Sequence, residues 1–124
     1  MNESRNSVYH WWIQRTSAVI LLLLFPWFAY LFSHSIYADK QLSFNSKLFY
    51  AINHPLELLF FIILLFHVFQ HAVLGMQTIC EDYIHNIPIR IFTITCIRYL
   101  SNITYITLTF TILFSYKHLF FIKT

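Results

Sequence analysis

Charge is scarce in this chain. Only 10% of its 124 residues are Asp, Glu, Lys or Arg, against about 25% in a soluble globular domain. With 58% of residues hydrophobic and a mean hydropathy of +0.60, polar surface is too small to cover a body in water. The chain therefore reads as an integral membrane protein. Cysteine is nearly missing as well. Cys80 and Cys96 form no CxxC, which excludes cluster-type spacing and argues against a disulfide framework. Basic residues outnumber acidic ones and give a formal charge of +3, but they form no cluster, which excludes a nucleic-acid surface. Strand-length alternation is absent, and with it a transmembrane barrel. Glycine occurs once, at Gly75.

What the chain does have is three long apolar spans, expected over about residues 13–33, 56–79 and 90–116 of a single 124-residue unit. Each supplies about 20 residues of helix, enough to cross a hydrocarbon core of about 30 Å. Backbone groups in lipid must bond internally, so all-α spans are the expectation. Trp11 and Trp12 stand where an interfacial aromatic belt would lie. Pro26 falls inside the first span and is expected to kink it. Residues 34–54, with Asp39, Lys40, Gln41 and Asn45, read as a polar loop, and Asn86 and Pro88 as a tight connection. The first span has no small-x-small cleavage site, so it is expected to stay as a helix and not leave as a signal peptide. Orientation is open on charge alone. Arg5, Arg15, Arg90 and Arg98 fall on the N-terminal side and Lys40, Lys47, Lys117 and Lys123 on the other, a tie.

Polar residues within spans are functional candidates. On a helix at about 100° per residue, His67, His71, Gly75, Thr78 and Asp82 share an arc of about 80°. A neutral imidazole is a good ligand for haem iron. A glycine one turn away lets a flat macrocycle or another helix approach the backbone. His67 and His71 sit side by side and cannot reach opposite faces of one porphyrin. His10, His34, His54 and His118 lie at span ends. A six-coordinate haem would thus need its second ligand from another subunit. The plain alternative is that these histidines bond a carbonyl or a serine on a neighbouring helix, and that Gly75 serves helix packing.

Asp82 and Tyr83 fall just past the second span. A phenol can donate to a quinone carbonyl without adding charge, and a nearby carboxylate can orient it or relay protons. The alternative is an interfacial anchor. Arg15 lies just inside the first span, where a haem propionate would pair with it, with His10 on the same side of the membrane. Snorkelling to headgroup phosphate is the other reading.

The stretch HAVLGMQTICEDY and the start HWWIQRTSAVILLL together resemble the small membrane anchor subunit of succinate dehydrogenase, complex II. The resemblance covers most of the chain, though its specific content is about 25 residues; the third span matches only as a membrane helix. It implies an anchor of succinate:ubiquinone oxidoreductase within a multi-subunit helix bundle. It implies that His71 is the axial ligand of haem b, that Tyr83 bonds ubiquinone with Asp82 beside it, and that Arg15 and His10 lie on the propionate or quinone side. His67 does not match the ligand position. The implied partners are a second membrane anchor (the cytochrome b large subunit), an iron–sulfur subunit and a flavoprotein subunit. The implied location is the mitochondrial inner membrane or a bacterial plasma membrane, with the N terminus on the matrix or cytoplasmic side. The chain itself, having no nucleotide fold, would carry out no succinate chemistry.

Two other readings share these residues. One is a haem-b anchor of another quinone-linked enzyme, such as a fumarate reductase or formate dehydrogenase. The other is a cofactor-free structural subunit. Scarce glycine with abundant Phe, Ile and Tyr fits an AT-rich coding genome, either mitochondrial or reduced bacterial.

Overall fold

A computed structural model describes residues 2–38, Ser46 and 54–123. Three helices follow in chain order: α1 (Asn2–Ala38), α2 (Pro55–Tyr83) and α3 (Ile87–Lys123). Each is long and apolar enough to cross a membrane. At 1.5 Å per residue they measure about 56, 44 and 56 Å, more than the roughly 30 Å of hydrocarbon, so their ends project from it. α2 is the middle element and packs against both neighbours.

The expected spans all fall within these helices, and the ends differ in ways local chemistry explains. α1 continues through residues 34–38, which had been expected to open the polar loop. Ser33 and Ser35 there donate their hydroxyls to the Tyr30 and Phe32 carbonyls at 2.8 and 2.7 Å, so polar composition does not end the helix. The rest of that loop, including Asp39, Lys40, Gln41 and Asn45, lies outside the described residues. α1 also runs through Pro26 without losing its helical assignment. α2 begins with Pro55 at its first position, where the missing N–H would have had no partner anyway. Glu57 reaches back to the His54 backbone N–H at 3.2 Å and adds negative charge to the first turn. Asp82 and Tyr83 belong to the last turn of α2 and not to a loop beyond it. The connection is only Ile84–Asn86. Asn86 caps α3, its Oδ1 accepting from the Ile89 N–H at 3.4 Å and its carbonyl from Arg90 N–H at 2.9 Å. Pro88, expected before the third span, sits inside its first turn for the same reason as Pro55.

Lipid exposure shows in the side chains. Thr93, Thr104, Thr107 and Thr111 on α3 all donate to the carbonyl four residues earlier, at 2.7–2.9 Å. The hydroxyls are satisfied within their own helix, which lets a threonine-rich segment stand in hydrocarbon. The chain exposes 9552 Å², whereas a compact soluble protein of 15.0 kDa would expose about 7,000 Å². Its exposed surface includes Leu22, Leu23, Phe92, Phe110 and Phe114. Such a surface requires lipid or partner helices around it.

A small core pins the bundle at the end away from the chain's N terminus. Leu58, Phe61 and Leu64 of α2 meet Ile112 of α3, with Leu24 and Phe28 of α1 against them. Phe28 and Phe61 stack at 4.7 Å between centroids and 26° between planes. Apolar residues gain nothing by leaving lipid, so packing itself is what joins these helices. Phe61→Ala should therefore weaken the α1–α2 contact by about 2 kcal/mol, less than the 3–5 typical of a water-soluble core. Detergent-denaturation midpoints of the purified assembly measure this.

Candidate functional site

α1 presents Ser17 to α2, and Ser17 is 2% exposed. Its Oγ lies 3.2 Å from His71 Nδ1 and 2.9 Å from the Gln14 carbonyl. The hydroxyl has one proton, and the carbonyl can only accept. When that proton sits on the Gln14 carbonyl, the serine oxygen is left to accept from His71, and in that arrangement Nδ1 carries the ring's hydrogen. Nε2 is then the bare nitrogen, and it makes no hydrogen bond among the described residues. Bonding a serine on the neighbouring helix is the plain structural role a membrane histidine can have. Here it occupies one nitrogen and leaves the other in the form a metal ligand requires.

Gly75 stands one turn beyond His71. A Cβ built there would meet nothing within 4 Å. No helix of this chain packs onto the glycine, so its alternative role in packing is not filled within the chain. The backbone beside the imidazole borders open space. His67 differs from His71. Its Nδ1 is buried without a hydrogen-bond partner among the described residues, and its ring meets the edge of Phe66 at 5.3 Å. Among the described residues no three His, Cys, Asp or Glu side chains gather as a metal-ion site. Iron would thus reach His71 only within a prosthetic group, or with ligands from another chain. A pinned imidazole with a bare nitrogen, beside an open backbone strip, fits an axial haem ligand.

The remaining expected residues do not converge on His71. Asp82 and Tyr83 are exposed, Tyr83 at 78%, and lie about 16–18 Å further along α2 at 1.5 Å per residue. Neither side chain has a hydrogen bond or ion pair among the described residues. They are presented outward at the end of the bundle that also carries the start of α1. Arg15 is exposed too, its guanidinium 5.4 Å from the Trp11 ring centroid in a cation–π contact. His10 points elsewhere. Five residues on a helix turn the chain by about 140°, and His10 lines the clefts toward α2 and α3. The structure therefore does not bring His10 and Arg15 together, although the sequence had placed them on one side of the membrane.

Two features escaped the sequence reading. Ser17 is one; its signal was a small polar residue in the Thr16–Ser17–Ala18 run, on the face that α1 turns to α2. The second is a polar chain through Gln77. Arg98 of α3 donates to Gln77 Oε1 at 2.7 Å, and Gln77 Nε2 donates to Glu81 Oε1 at 2.8 Å. It borders an inner cleft of about 230 Å³ and an outer one of about 670 Å³, both touching His10. Arg98 had been counted only for its charge.

Known proteins resemble this chain in sequence. The succinate dehydrogenase hydrophobic membrane anchor subunit of Rickettsia bellii (strain RML369-C) is 30% identical over 101 residues, covering 82% of this chain and 77% of the relative. That of Rickettsia prowazekii (strain Madrid E) is 26% identical over 112 residues, covering 90% and 86%. The succinate dehydrogenase membrane anchor subunit of Reclinomonas americana is 34% identical over 105 residues, covering 79% and 80%. No solved structure matches the chain. The family of succinate dehydrogenase/fumarate reductase transmembrane subunits matches residues 2–105, from the first turn of α1 to the middle of α3, and the chain belongs to that family.

Proposed function

We propose that this chain is the small anchor of a succinate:ubiquinone oxidoreductase and that it supplies His71 to a haem b shared with a second membrane anchor. The observation that carries the reading is the Ser17–His71 bond, which leaves Nε2 bare next to the open strip at Gly75. When bound, haem b supplies a one-electron carrier within the bundle. Ser17 holds the imidazole plane and keeps the proton on Nδ1, the work an outer-shell partner does for a ligating histidine. Arg15, exposed near the same end of α1, would turn from the Trp11 ring to pair with a propionate, and His10 belongs to the same end of the bundle.

The reduced quinone site would be completed by other subunits. Tyr83 and Asp82 end α2 with their side chains exposed, available to an iron–sulfur subunit docking on that face. There the Tyr83 phenol donates to a ubiquinone carbonyl, and the Asp82 carboxylate orients the phenol or passes on a proton. Electrons arrive from succinate through the flavoprotein and iron–sulfur subunits, which hold the succinate chemistry. This orientation puts the N terminus on the matrix or cytoplasmic side. It also makes the covering of the exposed apolar faces the work of the cytochrome b large subunit and lipid.

His71→Ala should abolish or shift the b-type signal in a dithionite-reduced minus oxidised spectrum of the purified assembly; an unchanged signal would move the ligand to another residue. Ser17→Ala should keep the haem but lower its affinity about 10-fold or more, as loss of an outer-shell partner does, and alter its reduction potential. Redox titration and haem retention on dilution measure both. Tyr83→Phe should leave haem content intact and slow quinone reduction about 10-fold, the loss of one hydrogen bond of about 1.4 kcal/mol. Steady-state turnover with a short-chain ubiquinone checks it.

A further inference from the structure

The inner cleft does not belong to the histidine face. Gln77, at its outer end, lies about 120° around α2 from His71. The cleft opens between all three helices, with His10 from α1, Phe66 to Gln77 from α2 and Arg98 to Tyr105 from α3 along its walls. Phe66 and Phe69 meet Tyr105 edge-on, at 5.7 and 6.0 Å, and close its inner end. Its α2 wall runs over the twelve residues from Phe66 to Gln77, about 16 Å.

Its charge is unbalanced. No Asp or Glu lines it. Arg98 has five N–H donors, and its one hydrogen bond among the described residues goes to a neutral amide oxygen. The Nδ1 of His10 is buried with no partner among the described residues. Glu81, the nearest acid in the polar chain, is already engaged by the other end of Gln77. An arginine near hydrocarbon without a carboxylate is expensive, and a planar guanidinium with spare donors suits a phosphate oxygen pair. Arg98, Gln77 and His10 mark the interfacial end of the cleft, Ser101, Asn102 and Gln70 continue along it, and the aromatic trio stands at the end nearer the bilayer middle. A charged end followed by neutral donors and then aromatic rings matches a phospholipid's phosphate, ester groups and chain.

We propose that this cleft seats an anionic phospholipid, its phosphate held by Arg98 with His10 and Gln77 and its upper acyl chain lying against Phe66 and Phe69. The site joins α1 to α3 through the lipid, and so ties together two helices that otherwise meet mainly through α2. Arg98 and Gln77, which carry the proposal, play no part in the haem and quinone reading.

The test uses the whole assembled complex in nanodiscs of phosphatidylcholine doped with phosphatidylglycerol as the probe, with native mass spectrometry counting retained probe lipid. Wild type and Lys117→Gln, a cation at the other end of α3, should retain the same number. Arg98→Gln should retain one fewer, with affinity down about 10-fold for a lost charge-assisted contact, and Arg98→Lys should recover part of it. His10→Phe, which removes the imidazole from the cleft and leaves Arg98 in place, should weaken retention of the same lipid and decides the matter if Arg98→Gln fails to assemble. Equal retention in wild type and these variants overturns the proposal. So does equal loss in Lys117→Gln, which would mean general surface charge. Inorganic phosphate that blocks probe retention would make the site one for free phosphate. Loss of bound ubiquinone with full lipid retention would make it a quinone pocket. The b-type spectrum is expected to stay unchanged in Arg98→Gln, Arg98→Lys and Lys117→Gln.

Discussion

Hydrocarbon offers no hydrogen bonds, and the arrangement of most of the described polar side chains answers to that. A donor or acceptor left alone in such a medium costs several kcal/mol. Thr93, Thr104, Thr107 and Thr111 of α3 turn back onto their own helix's carbonyls, and Ser17, Ser33 and Ser35 of α1 do the same; the Thr109 hydroxyl is buried without a partner among the described residues. Where a group cannot satisfy itself locally, it finds a neighbour on another helix, and those few cross-helix bonds fix the register of the bundle. Ser17 with His71 sets α1 against α2, and Arg98 with Gln77 sets α3 against α2. Apolar contacts such as Phe28 on Phe61 add fit but little direction.

The same rule separates structural from functional polarity. A histidine whose only need was a partner would be finished once it met a serine. His71 is not, because imidazole has two nitrogens with opposite needs in the neutral ring. Satisfying Nδ1 defines Nε2. The structural and the functional readings of this residue therefore concern two ends of one ring, and a serine bond at one end is compatible with a ligand role at the other. Arg98 shows the converse: its single neutral partner is far short of what a guanidinium can bind.

The fold was largely legible because the spans are long and the medium leaves helices as the natural choice. Helix ends were less so. Residues 34–38 look polar by composition, yet Ser33 and Ser35 fold their hydroxyls inward, and Pro88 looks like a breaker until its position in the first turn is known. Of the site, the single-helix part could be read: His67, His71, Gly75, Thr78 and Asp82 share a face by periodicity alone. What depended on a second helix could not. Nothing in the sequence fixes which α1 residue stands opposite His71, and His10 and Arg15, both near one interface, diverge because helix rotation parts them. The Gln77–Arg98 bond joins residues 21 apart across the turn at Asn86, a register that only packing sets.

Because α2 lies between its neighbours, the chain is two hairpins sharing one leg. All of His71's bonding comes from α1 and α2, and α3 adds none to it. In order of synthesis, the Ser17–His71 contact can form once the second helix has inserted. The final third of the protein is still to be made at that moment, so the geometry of this imidazole does not wait for α3.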